Sequence, residues 1–415
     1  MTTTLTPPAA APHGRPAHRD PNVLRWLGGY LSSAVGDNVY YIALSWAAVQ
    51  SGTPAQAGLV TAAGALPRAL LMLGGGVVAD RYGPRRVVLG STAVRSALVL
   101  TAAVLLLVAS PGLWTLGAVA VLFGLVDAVF LPAAGALPGR IAARDQLARV
   151  QGLRGLAVRL ANVLGGPLGG LGVALGGTAG AFGLAALLVG MSLPLLFLVR
   201  VGDPAPGAAG PARRALGAEL RDGLRHIRRD PVLRPLVLAI ALSDLGFVGP
   251  MNLGLTLLAQ QRDWGTAGLG WVLAGFGTGA GAASVLLTWR GRIPRAGAVA
   301  ALANAVSAVA VAALALTPSV PAAAVTALVI GVSAGLAGAL CGALVQARAG
   351  AAYLGRVTSV STLVGFGVAP LTFPLVGAGV ALWGTGPVFA ACAAISGLAG
   401  LVVLGARDLR RAELP

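Results

Sequence analysis

The chain has 415 residues, 56% hydrophobic and 10% charged, with 30 basic and 13 acidic side chains and a formal charge of +17. A mean hydropathy of +0.83 excludes a soluble domain, whose surface would have too little polar area. Every basic residue is arginine, so a lysine-dependent phosphate loop or Schiff base is excluded as well.

Residues 1–22 are rich in Pro and Thr without an apolar core, and read as a disordered cytoplasmic tail, not a signal peptide. About twelve apolar stretches of membrane-crossing length follow, near 23–49, 54–79, 86–109, 113–138, 147–175, 179–200, 232–260, 265–289, 295–316, 320–347, 355–382 and 385–405. The strict alternation of a membrane β-barrel is absent. The 61 glycines fit a helical bundle, because small residues let membrane helices approach closely.

The first span carries Asp37 and Asn38 near its middle, and the second carries Arg68 just after Pro67. Between the second and third lies a polar island, Gly76-Val77-Val78-Ala79-Asp80-Arg81-Tyr82-Gly83-Pro84-Arg85-Arg86. Arg95 falls in the third span and Asp127 at the middle of the fourth. The fifth holds Arg154, Arg159 and the cluster Gly165-Gly166-Pro167-Leu168-Gly169-Gly170. Pro removes a backbone hydrogen bond and Gly permits close packing, so a kinked packing face is one reading of that cluster.

The longest hydrophilic segment, 201–231, divides the chain. Its first part is a Pro/Gly/Ala linker. In its second part Leu216, Leu220, Leu224 and Ile227 recur at helical spacing, with Arg213, Arg214, Arg221, Arg225, Arg228 and Arg229 around them. A helix on the inner leaflet and a plain topology-setting linker both fit. The seventh span then carries Asp244, the approximate counterpart of Asp37. The expected organisation is a tail (1–22), a six-helix half (23–200), the linker (201–231), a second six-helix half (232–405) and a cytoplasmic tail (406–415).

Sequence echoes support the two halves. Asp20-Pro21-Asn22-Val23-Leu24-Arg25 resembles Asp230-Pro231-Val232-Leu233-Arg234, and Pro84-Arg85 returns as Pro294-Arg295. Leu147-Ala148-Arg149-Val150 matches Leu354-Gly355-Arg356-Val357, and Gly172-Val173-Ala174-Leu175 matches Gly379-Val380-Ala381-Leu382. In this register Asp80 lies opposite Arg290, so the second copy lacks the acid. Parallel halves of this kind characterise carriers that rock about a midplane site.

Loop charge sets orientation. The loops near 50–54, 110–112, 176–178, 317–321 and 383–386 carry no charge, whereas the alternate loops and both tails carry the loop arginines, with Arg262 beside Asp263 as the exception on the uncharged side. The positive-inside rule then puts both termini in the cytoplasm. This placement also argues against nucleic acid as the partner of the positive charge. Cys341 and Cys392 lie in apolar spans, and His13, His18 and His226 in polar sequence. No metal site and no cofactor are expected.

Asp37, Asp127 and Asp244 are the three acids deep in apolar spans. A charge there costs about 2.5–3.5 kcal/mol on insertion scales, so it faces a cavity or a partner. Each is a candidate for proton coupling, and each could instead be a structural ion pair. Arg68, Arg95 and Arg159 could pair with these acids or bind an anionic substrate, with Asn38 beside them. Snorkelling to the interface is the alternative for Arg154 and Arg95.

The polar island resembles the loop between the second and third helices of the major facilitator superfamily, with Gly76, Asp80, Arg81, Gly83, Arg85 and Arg86 in the places of that loop's pattern. Gly165, Gly166, Pro167, Gly169 and Gly170 resemble the antiporter motif of drug exporters in the same superfamily. The Gly36-Asp37 pair and Asp127-Ala128-Val129-Phe130-Leu131-Pro132-Ala133 look like the bacterial branch that includes macrolide-efflux and enterobactin-export proteins. The resemblance implies twelve transmembrane helices in two pseudo-symmetric six-helix halves, an all-α membrane protein of the bacterial cytoplasmic membrane, working as a monomer.

It further implies proton-coupled efflux of a small amphipathic compound by alternating access, without enzymatic activity. Asp80 would latch the outward-open state against the start of the eleventh helix, near Arg356-Val357-Thr358-Ser359. Proton-coupled uptake of a nutrient is the alternative, and a non-transporting membrane receptor a third.

Overall fold

The computed structural model of the protein describes residues 19–109, 112–142, 146–201, 216–290, 294–410 and 412. The first 18 residues, residues 202–215 of the linker, and Arg144, Arg213, Arg214, Arg292 and Arg411 lie outside the described residues. So do the side chains of Asp80, Leu216, Leu220, Arg290, Arg356, Thr358 and Ser359. The regular elements among the described residues are helical. They are α1 (Pro21–Ser51), α2 (Pro54–Tyr82), α3 (Pro84–Val108), α4 (Leu113–Ala136), α5 (Pro138–Ile141), α6 (Leu147–Phe197) and α7 (Leu216–Arg229). The second half continues with α8 (Leu233–Gly249), a π turn (Pro250–Gly254), α9 (Leu255–Gln261), α10 (Gly265–Arg290), α11 (Ala296–Leu314), α12 (Val320–Trp383), α13 (Thr385–Gly405) and α14 (Arg407–Arg410).

Local chemistry sets the helix ends. Pro occupies the first turn of α1, α2 and α3, where its missing N–H costs nothing. Asp20 caps α1 by accepting from the Asn22 amide at 2.8 Å. Its echo Asp230 accepts from the Val232 and Leu233 amides, both at 2.8 Å. The repeated Asp-Pro thus marks the same boundary in each half. Thr53 and Gln56 form a reciprocal capping box at α2. Gly83 alone joins α2 to α3, at φ +84°, a backbone state that a side chain would strain.

Nine segments among the described residues are long and apolar enough to cross a membrane. One of them, Arg149–Phe197, breaks at Gly176 and Gly177 and therefore holds two spans. With α1 and α2, twelve spans result. The 64 residues of α12 would reach about 96 Å if straight, three bilayer cores. It too holds two spans, Val320–Ala349 and Leu363–Trp383. Its first residue packs near Gly268, while Gly377 near its end meets the carbonyl of Pro54, so α12 starts and finishes at the uncharged face. Large apolar side chains cover the outside of the bundle, with Trp114 91% exposed.

Packing divides the molecule by depth. Near the uncharged face one apolar cluster joins both halves, from Tyr40, Phe123 and Phe182 to Leu257, Leu314 and Phe389. Toward the arginine-rich face the core splits. Trp26, Phe130 and Leu137 belong to one cluster, and Leu233, Leu344 and Val403 to another. The amphipathic helix α7 joins the second of these. Ile227 is buried there, and His226 stacks on Tyr353 with ring centres 4.2 Å apart. This part of the apolar stripe covers protein, in place of the lipid surface that its pattern also allowed.

Candidate functional site

Four charged side chains from four helices meet inside the N-terminal half. Arg95 of α3 is fully buried and donates to both oxygens of Asp37 on α1, at 2.9 and 2.8 Å. The same Nη1 lies 3.2 Å from Asp127 Oδ1 on α4, and Nη2 donates to Ser33 Oγ at 2.8 Å. Arg68 of α2 donates to Tyr41 Oη at 2.7 Å and lies 3.5 Å from Asp127 Oδ2. Two guanidiniums and two carboxylates give formal neutrality. The Arg95 guanidinium also sits 3.7 Å from the centre of the Phe130 ring. Arg95 therefore does not snorkel.

Ser33, Asp37 and Tyr41 recur every four residues, so one stripe of α1 faces the network. Water reaches the members unequally. The Asp37 side chain is 20% exposed and Arg68 16%, against 6% for Asp127.

The network borders a cavity at the junction of the halves. One compartment of about 330 Å³ is lined by Asn38, Tyr41, Asn162, Phe247, Asn252 and Phe276, among others. A second, of about 220 Å³, shares Tyr41, Ser45 and Asn252 and reaches Arg68 and Phe373. A third, of about 540 Å³, shares Asn162, Phe247 and Phe276 and runs past Gln151, Arg154 and Arg159 toward the arginine-rich face. Asn38 donates to the Ala34 carbonyl at 3.0 Å and to Asn162 Oδ1 at 3.3 Å. Arg159 hydrogen-bonds Ser284 of α10, across the boundary between halves. Arg154 lies 5.2 Å from the centre of the Tyr30 ring.

The glycine cluster of the fifth span serves two contacts. A Cβ at Gly165 or Gly169 would strike Asn38 or Ile42 of α1. One at Gly166 or Gly170 would strike Leu273 or Gly270 of α10, in the other half. Pro167 lines an adjacent apolar recess with Trp271. Toward the arginine-rich face the halves part, and a Cβ at Gly155 or Gly338 would meet open space.

Asp244 stands apart from this site. Its carboxylate faces Gly365, with no hydrogen bond or ion pair to any described residue. Where Arg95 and Asp37 pair in the first half, Asn304 and Ser243 hydrogen-bond at 3.1 Å in the second. The four-charge network has only a neutral echo there.

In the polar island, Arg85 donates to the Phe197 carbonyl at 2.6 Å, capping the end of the sixth span. Arg81 and Arg86 are exposed, and Gly76 packs against Pro132. Tyr41, Ser33, Asn162, Asn252, Phe247, Phe276 and Ser284 carry no charge, and the sequence offered only helical spacing as a guide to them.

Comparison with known proteins agrees with this architecture. A family model described as Major Facilitator Superfamily matches residues 26–366. No curated protein matches the chain at a significant level. Among solved structures, the nucleoside transporter NupG superposes with a TM-score of 0.71 at 11% identity, over 93% of this chain and 100% of that one. A proton dependent oligopeptide transporter gives 0.69 at 16% identity, over 94% of this chain and 99% of its own. A bacterial homologue of the human lysosomal transporter Spinster, in an inward-facing and unoccupied conformation, gives 0.65 at 16%, over 97% of both chains. Likeness at such identities concerns the fold.

Proposed function

The chain belongs to the major facilitator superfamily, and we propose that this multi-pass membrane transporter exports a small amphipathic compound in exchange for protons. The observation that carries the reading is the neutral Asp37–Arg95–Asp127–Arg68 network bordering the cavity. Ionisable groups held inside a membrane bundle mark proton and ion pathways. Asp37 is the carboxylate with water access, and its partner Arg95 has none.

A proton taken up by Asp37 turns two carboxylates and two guanidiniums into one carboxylate and two guanidiniums. Arg95 then keeps Asp127 as its only ionised partner. The ties between the first helix and the third and fourth weaken, and the network acquires one positive charge. An inside-negative potential acts on that charge with about 2.3 kcal/mol per 100 mV.

In this reading the arginine-rich face is cytoplasmic, both termini lie inside, and the cavity opens inward in the bacterial cytoplasmic membrane. The protein works as a monomer, its N-terminal half spanning 23–200 and its C-terminal half 232–405. Outward opening requires the seam of Gly166 and Gly170 against α10 to part. Asp80 would hold that second state against the start of the eleventh span. Export is favoured by the exporter-like glycine cluster of the fifth span, now a packing face between halves.

The test is substrate movement in everted vesicles under an imposed pH gradient, after a compound-accumulation screen with and without an uncoupler. Asp37→Asn should abolish gradient-driven transport while leaving the protein in the membrane, and unchanged transport removes Asp37 from coupling. Proton-coupled uptake is the second reading, supported by the likeness in fold to a nucleoside transporter and to a proton dependent oligopeptide transporter. Accumulation by right-side-out vesicles, and not by everted ones, would establish it.

A further inference from the structure

The walls of the inward path are electrostatically one-sided. Arg154 and Arg159 both line the compartment toward the arginine-rich face, together with Gln151, Asn162, Phe247 and Phe276. Neither arginine has a carboxylate partner among the described residues. Asp37 and Asp127 are already engaged by Arg95 and Arg68, and Asp244 is not part of the compartment's wall. The path therefore offers two guanidiniums without counter-charge.

Position separates the two. Arg159 lies twelve residues into α6, about 18 Å from its start, too deep for its head to reach the interface. It is half-buried, and its described contact is the neutral hydroxyl of Ser284. A guanidinium at that depth faces a cavity or a partner, and this one faces the cavity, where an anion can reach it. Arg154 lies nearer the mouth, over the Tyr30 ring. Beyond Arg159 the cavity turns neutral and amphipathic. Asn38, Asn162 and Asn252 supply amides, and Phe247 and Phe276 supply aromatic faces.

We propose that the cargo is an organic anion, a small molecule with a carboxylate, sulfonate or phosphate group and an aromatic or apolar body. Arg154 attracts it at the mouth. Arg159 binds its anionic group in the fork geometry that guanidinium shares with such groups. The body lies against Phe247 and Phe276. A lipophilic cation finds no free carboxylate among the described residues of this wall and meets two positive charges on entry. Binding also sets the anion in competition with Ser284 for Arg159, a tie between the halves.

This inference rests on the reading that the central cavity holds the cargo. It can be tested with the purified full chain, without a gradient or a direction of transport, so its failure leaves the export reading standing. The measurement is ligand-induced thermal stabilisation in nanodiscs at low ionic strength. The probes are benzoate, 2-naphthalenesulfonate and phenyl phosphate, compared with benzamide and benzylammonium.

At least one anion should stabilise the protein, with an apparent affinity that falls as salt rises, and neither comparison compound should match it. Arg159→Gln should weaken that affinity by about tenfold or more, as loss of a charge-assisted hydrogen bond does. Arg159→Lys, which keeps the charge, should retain part of it. Stabilisation by benzylammonium or benzamide alone, no stabilisation by any anion, or anion affinity that is the same in Arg159→Gln would overturn the proposal.

Discussion

Arg95 holds the site together. It touches both Asp37 and Asp127, and it is sealed from water. Replacing it by Met leaves two carboxylates facing each other inside the bundle, with Arg68 3.5 Å from Asp127. Removing one partner of a buried ion pair costs about 3–5 kcal/mol. Arg95→Met should therefore melt well below the wild type in detergent, and below Asp37→Asn, which removes a charge from the wetter member. A melting point equal to that of Asp37→Asn would show that Arg95 is not the keystone. The charged members were legible in the sequence because an ion in an apolar run stands out. Ser33 and Tyr41 were not, because hydroxyls are common in membrane helices and their four-residue spacing gains meaning only beside Asp37. Asp244 gave the same signal as Asp37, yet it has no partner among the described residues. Depth in a span is readable, while pairing belongs to the tertiary fold.

At the scale of the helix, the fifth span is a two-sided bearing. Gly165 and Gly169 face α1 within their own half, and Gly166 and Gly170 face α10 across the boundary. Gly170→Val would push methyl groups into the Gly270 backbone, an overpacking that costs about 1–3 kcal/mol. Because the contact is between halves, the cost falls on the closed seam and not on folding of either half. Transport should drop, because the equilibrium constant for the state closed at this seam falls by about 5- to 150-fold, with normal amounts of protein in the membrane. Wild-type rates in the vesicle assay would mean that the seam need not close. The cluster itself was visible in the sequence, but its division between two partners depends on helix placement. The apolar stripe of α7 was equally visible. Its partner was not, since a patterned helix looks the same whether Ile227 meets lipid or, as here, the core beside Leu233 and Leu344.

At the scale of the molecule, orientation is the property to test. Cys341 and Cys392 are buried, so introduced cysteines report alone. Gln50→Cys at the uncharged face should react with an impermeant maleimide from outside whole cells, and Arg86→Cys only in everted vesicles. The reverse pattern would invert the assigned topology. The repeat was legible because caps and loops recur in register, and Asp20 and Asp230 prove to have the same capping role. The divergence of the halves was less so, since Ser243 and Asn304 give no charge signal where the first half has Asp37 and Arg95. The start of the first half is also bonded to its own end. Asn22 donates to the Arg200 carbonyl and accepts from the Arg200 amide, both at 2.7 Å. In the second half the chain's end is held instead by α11, where the Gly297 amide reaches the Ala412 carbonyl at 3.4 Å. The first half is thus a length of chain whose two ends are sealed to each other by its own residues. A cut in the connection after Arg200 would leave that seal intact, so the first half does not depend on its link to the second to keep its ends together.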